Sequence, residues 1–119
     1  MWAPDPWRQR LGDYTVEDVL ALPDDAPRVE LRDGVMLVVP SPTVDHQDIG
    51  HLLWYWLRAH APEGLRSAGP VGVVVDERNS LEPDVVLLRE PISNRHYFTA
   101  DQVVLAVEVV SPSTRRTTQ

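Results

Sequence analysis

The chain contains no cysteine, no lysine and a single phenylalanine, and nowhere does an apolar run reach membrane-spanning length. Without cysteine there is no disulfide framework and no thiolate metal site. Without lysine there is no Schiff-base amine and no phosphate-loop ammonium, since all 11 basic residues are arginine. No stretch approaches the roughly 20 apolar residues of a spanning helix. The N-terminus, Met-Trp-Ala-Pro-Asp-Pro-Trp-Arg, shows no basic segment followed by an apolar core. The expectation is a soluble, cytoplasmic protein with no membrane partner. Positive charge is scarce as well, and a formal net charge of −7 argues against broad electrostatic attraction to nucleic acid, which rests on basic patches. It leaves room for a site in which clustered carboxylates hold divalent cations, because bound ions reverse the local field.

What is present suits one small domain: 119 residues and four tryptophans, enough for a single core with little to spare. Residues 1–13 have no clear period and are expected to form a loosely ordered lead-in, leaving 14–119 as the domain. Thr15 reads as the N-cap of a short helix carrying Val16, Val19 and Leu20, stopped before Pro23. Arg28 to Val39 alternates on both sides of Asp33-Gly34, a favoured two-residue turn, so a hairpin is expected with strands at about 28–32 and 35–39. Glu30 then shares a strand face with Arg28 and Arg32, where a solvated position is the ordinary reading. After Pro40-Ser41-Pro42-Thr43, a helix is expected over about 44–60, with Ile49, Leu52, Leu53, Trp56 and Leu57 as its packing stripe. His46 and Gln47 lie in its first turn. Further strands are expected near 65–68, over 71–76 and from Asp84 through Leu88, with Glu77-Arg78-Asn79-Ser80 as a polar turn and 89–102 as a loop.

The last strand carries an anomaly. Val103 to Val110 reads as a strand buried on both faces and closed by Ser111-Pro112, yet Glu108 stands inside it. A carboxylate taken out of water costs several kcal/mol, of the order of the penalty for any unpaired buried ion, unless a cation or several donors meet it. An ion pair with arginine and a metal-ligand role both satisfy that requirement. The element order, helix, hairpin, long helix and then strands, gives a mixed α/β (α+β) fold with the long helix on one sheet face.

Three acidic residues, Glu30, Asp84 and Glu108, thus occupy comparable places on strands, and carboxylates converging at a sheet edge make an oxygen-rich site for Mg²⁺ or Mn²⁺. The segments Val29-Glu30-Leu31-Arg32-Asp33-Gly34, Pro40-Ser41-Pro42 with His46-Gln47, Glu82-Pro83-Asp84-Val85 and Val107-Glu108-Val109-Val110-Ser111-Pro112-Ser113-Thr114 resemble, in order, the Uma family of restriction endonucleases, within the PD-(D/E)XK superfamily. The resemblance runs from about Tyr14 to Arg116. It implies a restriction-endonuclease-like mixed central sheet flanked by helices and metal-dependent hydrolysis of DNA phosphodiesters. It also implies that Asp84, Glu108 and Glu30 are the catalytic metal ligands, with His46 and Gln47 near substrate or in an outer ligand shell.

Two departures accompany the resemblance. The superfamily's lysine falls two residues after the acidic strand residue, where this chain has Val110. In relatives of this type the lysine is expected from a helix after Ser-Pro-Ser-Thr, and the chain stops at Gln119 before such a helix. Arg115 and Arg116 offer charge there, but a planar, permanently protonated guanidinium does not replace an ammonium freely. The expectation is a nuclease fold, C-terminally incomplete, with impaired activity. The competing expectation is a catalytically inactive module that keeps the sheet and uses an exposed last strand to bind a partner, a second copy included. A serine-nucleophile hydrolase is not supported, since no Gly-x-Ser-x-Gly elbow surrounds Ser111 or Ser113.

Overall fold

Asp33 and Gly34 both take left-handed backbone angles, φ 50° and 83°, the pair a two-residue hairpin turn needs. Strands β1 (Val29–Arg32) and β2 (Val35–Val38) therefore pair in close register, Val29 opposite Val38 and Arg32 opposite Val35. The period of two sends Val29 and Leu31 into the core and leaves Glu30 half-buried on the other face. This computed structural model describes residues 14–93 and 96–110. The N-terminal lead-in and Ser111 to Gln119, including Arg115 and Arg116, lie outside the described residues.

The remaining strands are β3 (Leu65–Ala68), β4 (Gly72–Asp76), β5 (Asn79–Leu81), β6 (Val85–Arg89), β7 (Tyr97–Thr99) and β8 (Val103–Val107). They divide between two sheets, one ordered β2-β1-β5-β4-β7 and one ordered β3-β6-β8. All pairings are antiparallel except β4 with β7. The main core joins the sheets: Val73 and Phe98 come from the first, Val86 and Leu88 from the second. Helix α1 (Val16–Leu20) begins where Thr15 N–H donates to Asp18 Oδ2 at 2.9 Å, and Tyr14, Val16 and Leu31 form a second small core beneath it. The result is the expected mixed α+β class, consistent with a restriction-endonuclease-like fold.

Helix α2 (Val44–His60) is capped by Thr43, whose hydroxyl accepts from His46 N. Its orientation differs from the expected one. Ile49, Leu52 and Trp56 are 53%, 71% and 55% exposed, while Leu57 is the buried member of the stripe. The cause lies in the polar contacts beneath the helix. Ser67 Oγ, on β3, donates to Trp54 O at 3.1 Å, and Arg58 donates to Ser67 O at 2.9 Å. These bonds hold Leu53, Trp54 and Leu57 toward the sheet and turn Ile49, Leu52 and Trp56 outward.

The strand reading needs three corrections. The polar turn is only Glu77 and Arg78, since Asn79–Leu81 is a strand that pairs with both β1 and β4. The expected loop at 89–102 contains β7 and a 3₁₀ turn at Ala100–Gln102. The expectation of a last strand covered on both faces is overturned. Among the described residues β8 pairs only with β6, and Val104, Leu105 and Ala106 are exposed. The strand buried on both faces is β6, where Val85 to Leu88 are all in the core.

Candidate functional site

The chain crosses from one sheet to the other through Glu82-Pro83-Asp84, between the end of β5 and the start of β6. Pro83 is fully buried, and Asp84 is 8% exposed. A buried carboxylate at a strand start needs donors, and the segment just past β8 supplies one. Asp84 Oδ2 accepts from Val109 N at 2.7 Å, while Asp84 N donates to Val107 O at 3.0 Å. A charge-assisted bond of this length offsets much of the desolvation cost. With Val85 opposite Val107 in the ladder, the same register delivers Glu108 beside Asp84.

Glu30 reaches the site from β1. Its Oε2 accepts from Glu82 N at 3.2 Å, and Arg32 lies 3.5 Å from Oε1. His46, half-buried in the first turn of α2, places Nε2 3.2 Å from Asp84 Oδ2, in place of the exposed position that a helix histidine usually has. Glu30, His46, Asp84 and Glu108 line one cavity of about 370 Å³, together with Val110. Gln47 is not among that cavity's lining residues; it lines an adjoining groove that shares His46 and Asp84 with the cavity.

Electrostatics record the crowding. Burial pushes the Glu108 carboxyl above its ordinary range, and the like charges of Asp84 and Glu30 push it further, against smaller opposing pulls from Arg28 and His46. Glu108 as a residue is exposed and follows the end of β8, so its desolvation is partial and the like charges are what the site itself imposes.

Two residues beyond the expected set belong to the cavity. Arg28 Nη2 donates to Glu82 O at 2.8 Å, and Arg28 Nε stands 3.1 Å from Glu82 Oε1, within ion-pair range but without an aligned hydrogen bond. The signal for both was in the sequence: Arg28 is two residues before Glu30 on the same strand face, and Glu82 is two before Asp84.

The donor chemistry fits a hard divalent ion, with carboxylate oxygens and an imidazole and no sulfur. Among the described residues, however, no group of three or more His, Asp or Glu side chains is arranged to hold an ion as it stands. No described helix is long and apolar enough to cross a membrane.

A comparison with curated proteins gives no match. A family comparison does, and it takes in both sheets and all the residues of the cavity. Residues 16–119 match the Uma2 family, described as a putative restriction endonuclease, and the chain belongs to that family.

Proposed function

We propose that this chain is a metal-dependent DNA phosphodiester hydrolase with its candidate acidic ligands gathered at one cavity and its activity impaired by the absence of lysine. The observation that carries the reading is the meeting of Glu30, Asp84 and Glu108, from three strands or strand ends, in one cavity where burial, and then the like charges of the other two, push Glu108 up. Asp84, Glu108 and Glu30 would hold Mg²⁺ or Mn²⁺. Such an ion, when bound, activates water and neutralises charge developing on a phosphate.

The chain's own residues do the rest. The Val109 amide and His46 both contact Oδ2 of Asp84, which fixes that carboxylate without side-chain entropy left to lose. Glu108 is more exposed, so it adjusts to complete the ligand set. Gln47 faces the adjoining groove from the first turn of α2 and would meet substrate there. Val110 lines the cavity two residues beyond Glu108, and no ammonium stands in its place to orient water or stabilise the phosphate's added charge.

Titration calorimetry with Mn²⁺, in parallel with nicking of supercoiled plasmid, tests the reading. Binding is expected for the parent protein and is lost in the Asp84→Ala, Glu108→Ala double variant, with slow Mn²⁺-dependent nicking that the same variant abolishes. Equal Mn²⁺ binding by the double variant would sink the site. A second reading, an inert module that keeps the fold, draws on the absent lysine and on the edge of β8 that is unpaired among the described residues. It is favoured by a concentration-dependent homodimer with no response to Mn²⁺.

A further inference from the structure

The groove beside the carboxylates, about 410 Å³ in volume, is within the range of sites that enclose one small ring-bearing ligand, roughly 300–1,000 Å³. Two of its lining residues have no structural reason to be what they are. Gly50 sits in the interior of α2, where glycine is among the poorest helix formers. It does not take a left-handed backbone angle, and a Cβ built on it would meet no atom within 4 Å. Gly69, across the groove, likewise lacks a left-handed angle and has open space where a Cβ would stand. Neither backbone conformation nor packing asks for glycine at these positions. What the two glycines do is keep the groove open.

The groove's chemistry indicates what it takes. Arg28, the arginine that lines it, is engaged by the Glu82 side chain and backbone carbonyl, so no fixed positive charge is left to draw a phosphate in. Trp54 contributes an aromatic ring with the Arg58 guanidinium 4.8 Å from its centroid, and Pro42 and Pro70 add flat apolar walls. Gln47 brings an amide that can both donate and accept. An aromatic ring, apolar walls and an amide suit a planar heterocycle with hydrogen-bonding edges. The groove also borders the carboxylate cavity, sharing Arg28, Pro42, His46 and Asp84 with it, so a ligand in it would lie next to whatever the carboxylates act on.

We propose that this groove receives the unpaired nucleobase of a nucleotide adjoining the phosphate presented to Glu30, Asp84 and Glu108, which makes single-stranded or locally opened DNA the preferred substrate. This deepens the hydrolase reading and rests on it.

The test uses the full chain, a chelator to prevent cleavage, low ionic strength, and fluorescence anisotropy of a short end-labelled single-stranded deoxyoligonucleotide. Blunt duplex and an abasic strand of the same length serve as comparisons. The parent is expected to bind the single strand more tightly than either. Gly50→Leu puts a strong helix former into open space, so its melting temperature should rise while its affinity for the single strand falls by roughly tenfold, the scale of one lost stacking contact. That opposite movement separates a filled groove from a damaged fold. Absence of binding by the parent, equal binding of the abasic strand, or unchanged affinity in Gly50→Leu would each overturn the proposal. Mn²⁺ titration of the same samples keeps the two readings apart. If Mn²⁺ binds the carboxylates while Gly50→Leu is neutral, the groove assignment fails and the hydrolase reading survives. If Gly50→Leu loses the strand while Mn²⁺ does not bind, the groove stands without the hydrolase.

Discussion

Strands β6 and β8 are paired neighbours with nearly the same side chains, Val-Val-Leu-Leu in one and Val-Val-Leu-Ala-Val in the other, and they stand in different surroundings. β6 lies between β3 and β8 and buries every residue from Val85 to Leu88. β8 has one neighbour among the described residues and leaves Val104, Leu105 and Ala106 exposed. The carboxylate attached to each strand follows its surroundings. Asp84, at the start of β6, is buried and bonded to the backbone of the adjoining segment. Glu108, just past the end of β8, is exposed and crowded by like charge. One acid is built into the fold, and the other is delivered to the site by strand register alone. A site of this kind combines a fixed ligand with an adjustable one.

The sharpest break of that comparison comes from truncating each acid in turn. Asp84→Ala removes a buried charge-assisted hydrogen bond and strands the Val109 amide, so it should lower unfolding free energy by about 2–3 kcal/mol. Glu108→Ala should leave stability within about 0.5 kcal/mol or raise it. Urea unfolding of both variants checks this, and equal losses would show that the two acids are held alike. Asp84→Asn keeps an acceptor for Val109 and should recover most of the stability without recovering Mn²⁺ binding, which separates the structural duty of Asp84 from its ligand duty.

A smaller effect is expected at Val110, which is 59% exposed and lines the carboxylate cavity. A lysine there would bring an ammonium to the carboxylate cavity, two residues beyond Glu108. Val110→Lys should raise Mg²⁺- or Mn²⁺-dependent nicking by roughly tenfold, below the roughly hundredfold or more that a preorganised charge-stabilising group supplies. Val110→Arg should give less, because its charge is spread over a fixed plane. No gain from lysine in a protein that binds Mn²⁺ would place the defect elsewhere than at this position.

The parts of the fold that were legible in the sequence are those governed by local chemistry. Asp33-Gly34 specifies its hairpin because few other pairs adopt two left-handed conformations, and Thr15 with Asp18 marks the start of α1 through its capping geometry. The meeting of Glu30, Asp84 and Glu108 was readable from ordered motifs, each with its own strand. Burial was not readable where it depends on partners far away in the chain. The strings of β6 and β8 differ too little to say which is covered twice. The stripe of Ile49, Leu52 and Trp56 has a sound helical period, yet Ser67 and Arg58 turn α2 away from it through polar contacts that no periodicity records. Arg28 and Glu82 were overlooked because each reads as an ordinary solvated charge until the pairing of β1 with β5 brings them together at 3.1 Å.

The finest test of the fixed and adjustable acids is a pH series on Glu108→Gln. A carboxyl held above its ordinary value of 4.5 keeps its proton longer in the folded chain than in the unfolded one. Folding stability therefore declines as pH rises from about 4.5 through the folded-state value and stays at the lower level at neutral pH. Glutamine removes that decline. In chelator at pH 7 the variant should melt slightly higher than the parent, an effect that solvent screening of an exposed group keeps small, and the two melting curves should converge well below pH 4.5. With saturating Mn²⁺ the order should reverse, since the parent gains the free energy of ligand binding and the variant gains less. A variant that melts higher under both conditions would leave Glu108 as a strained charge with no part in holding the ion, and the ligand set would then reduce to Asp84 and Glu30.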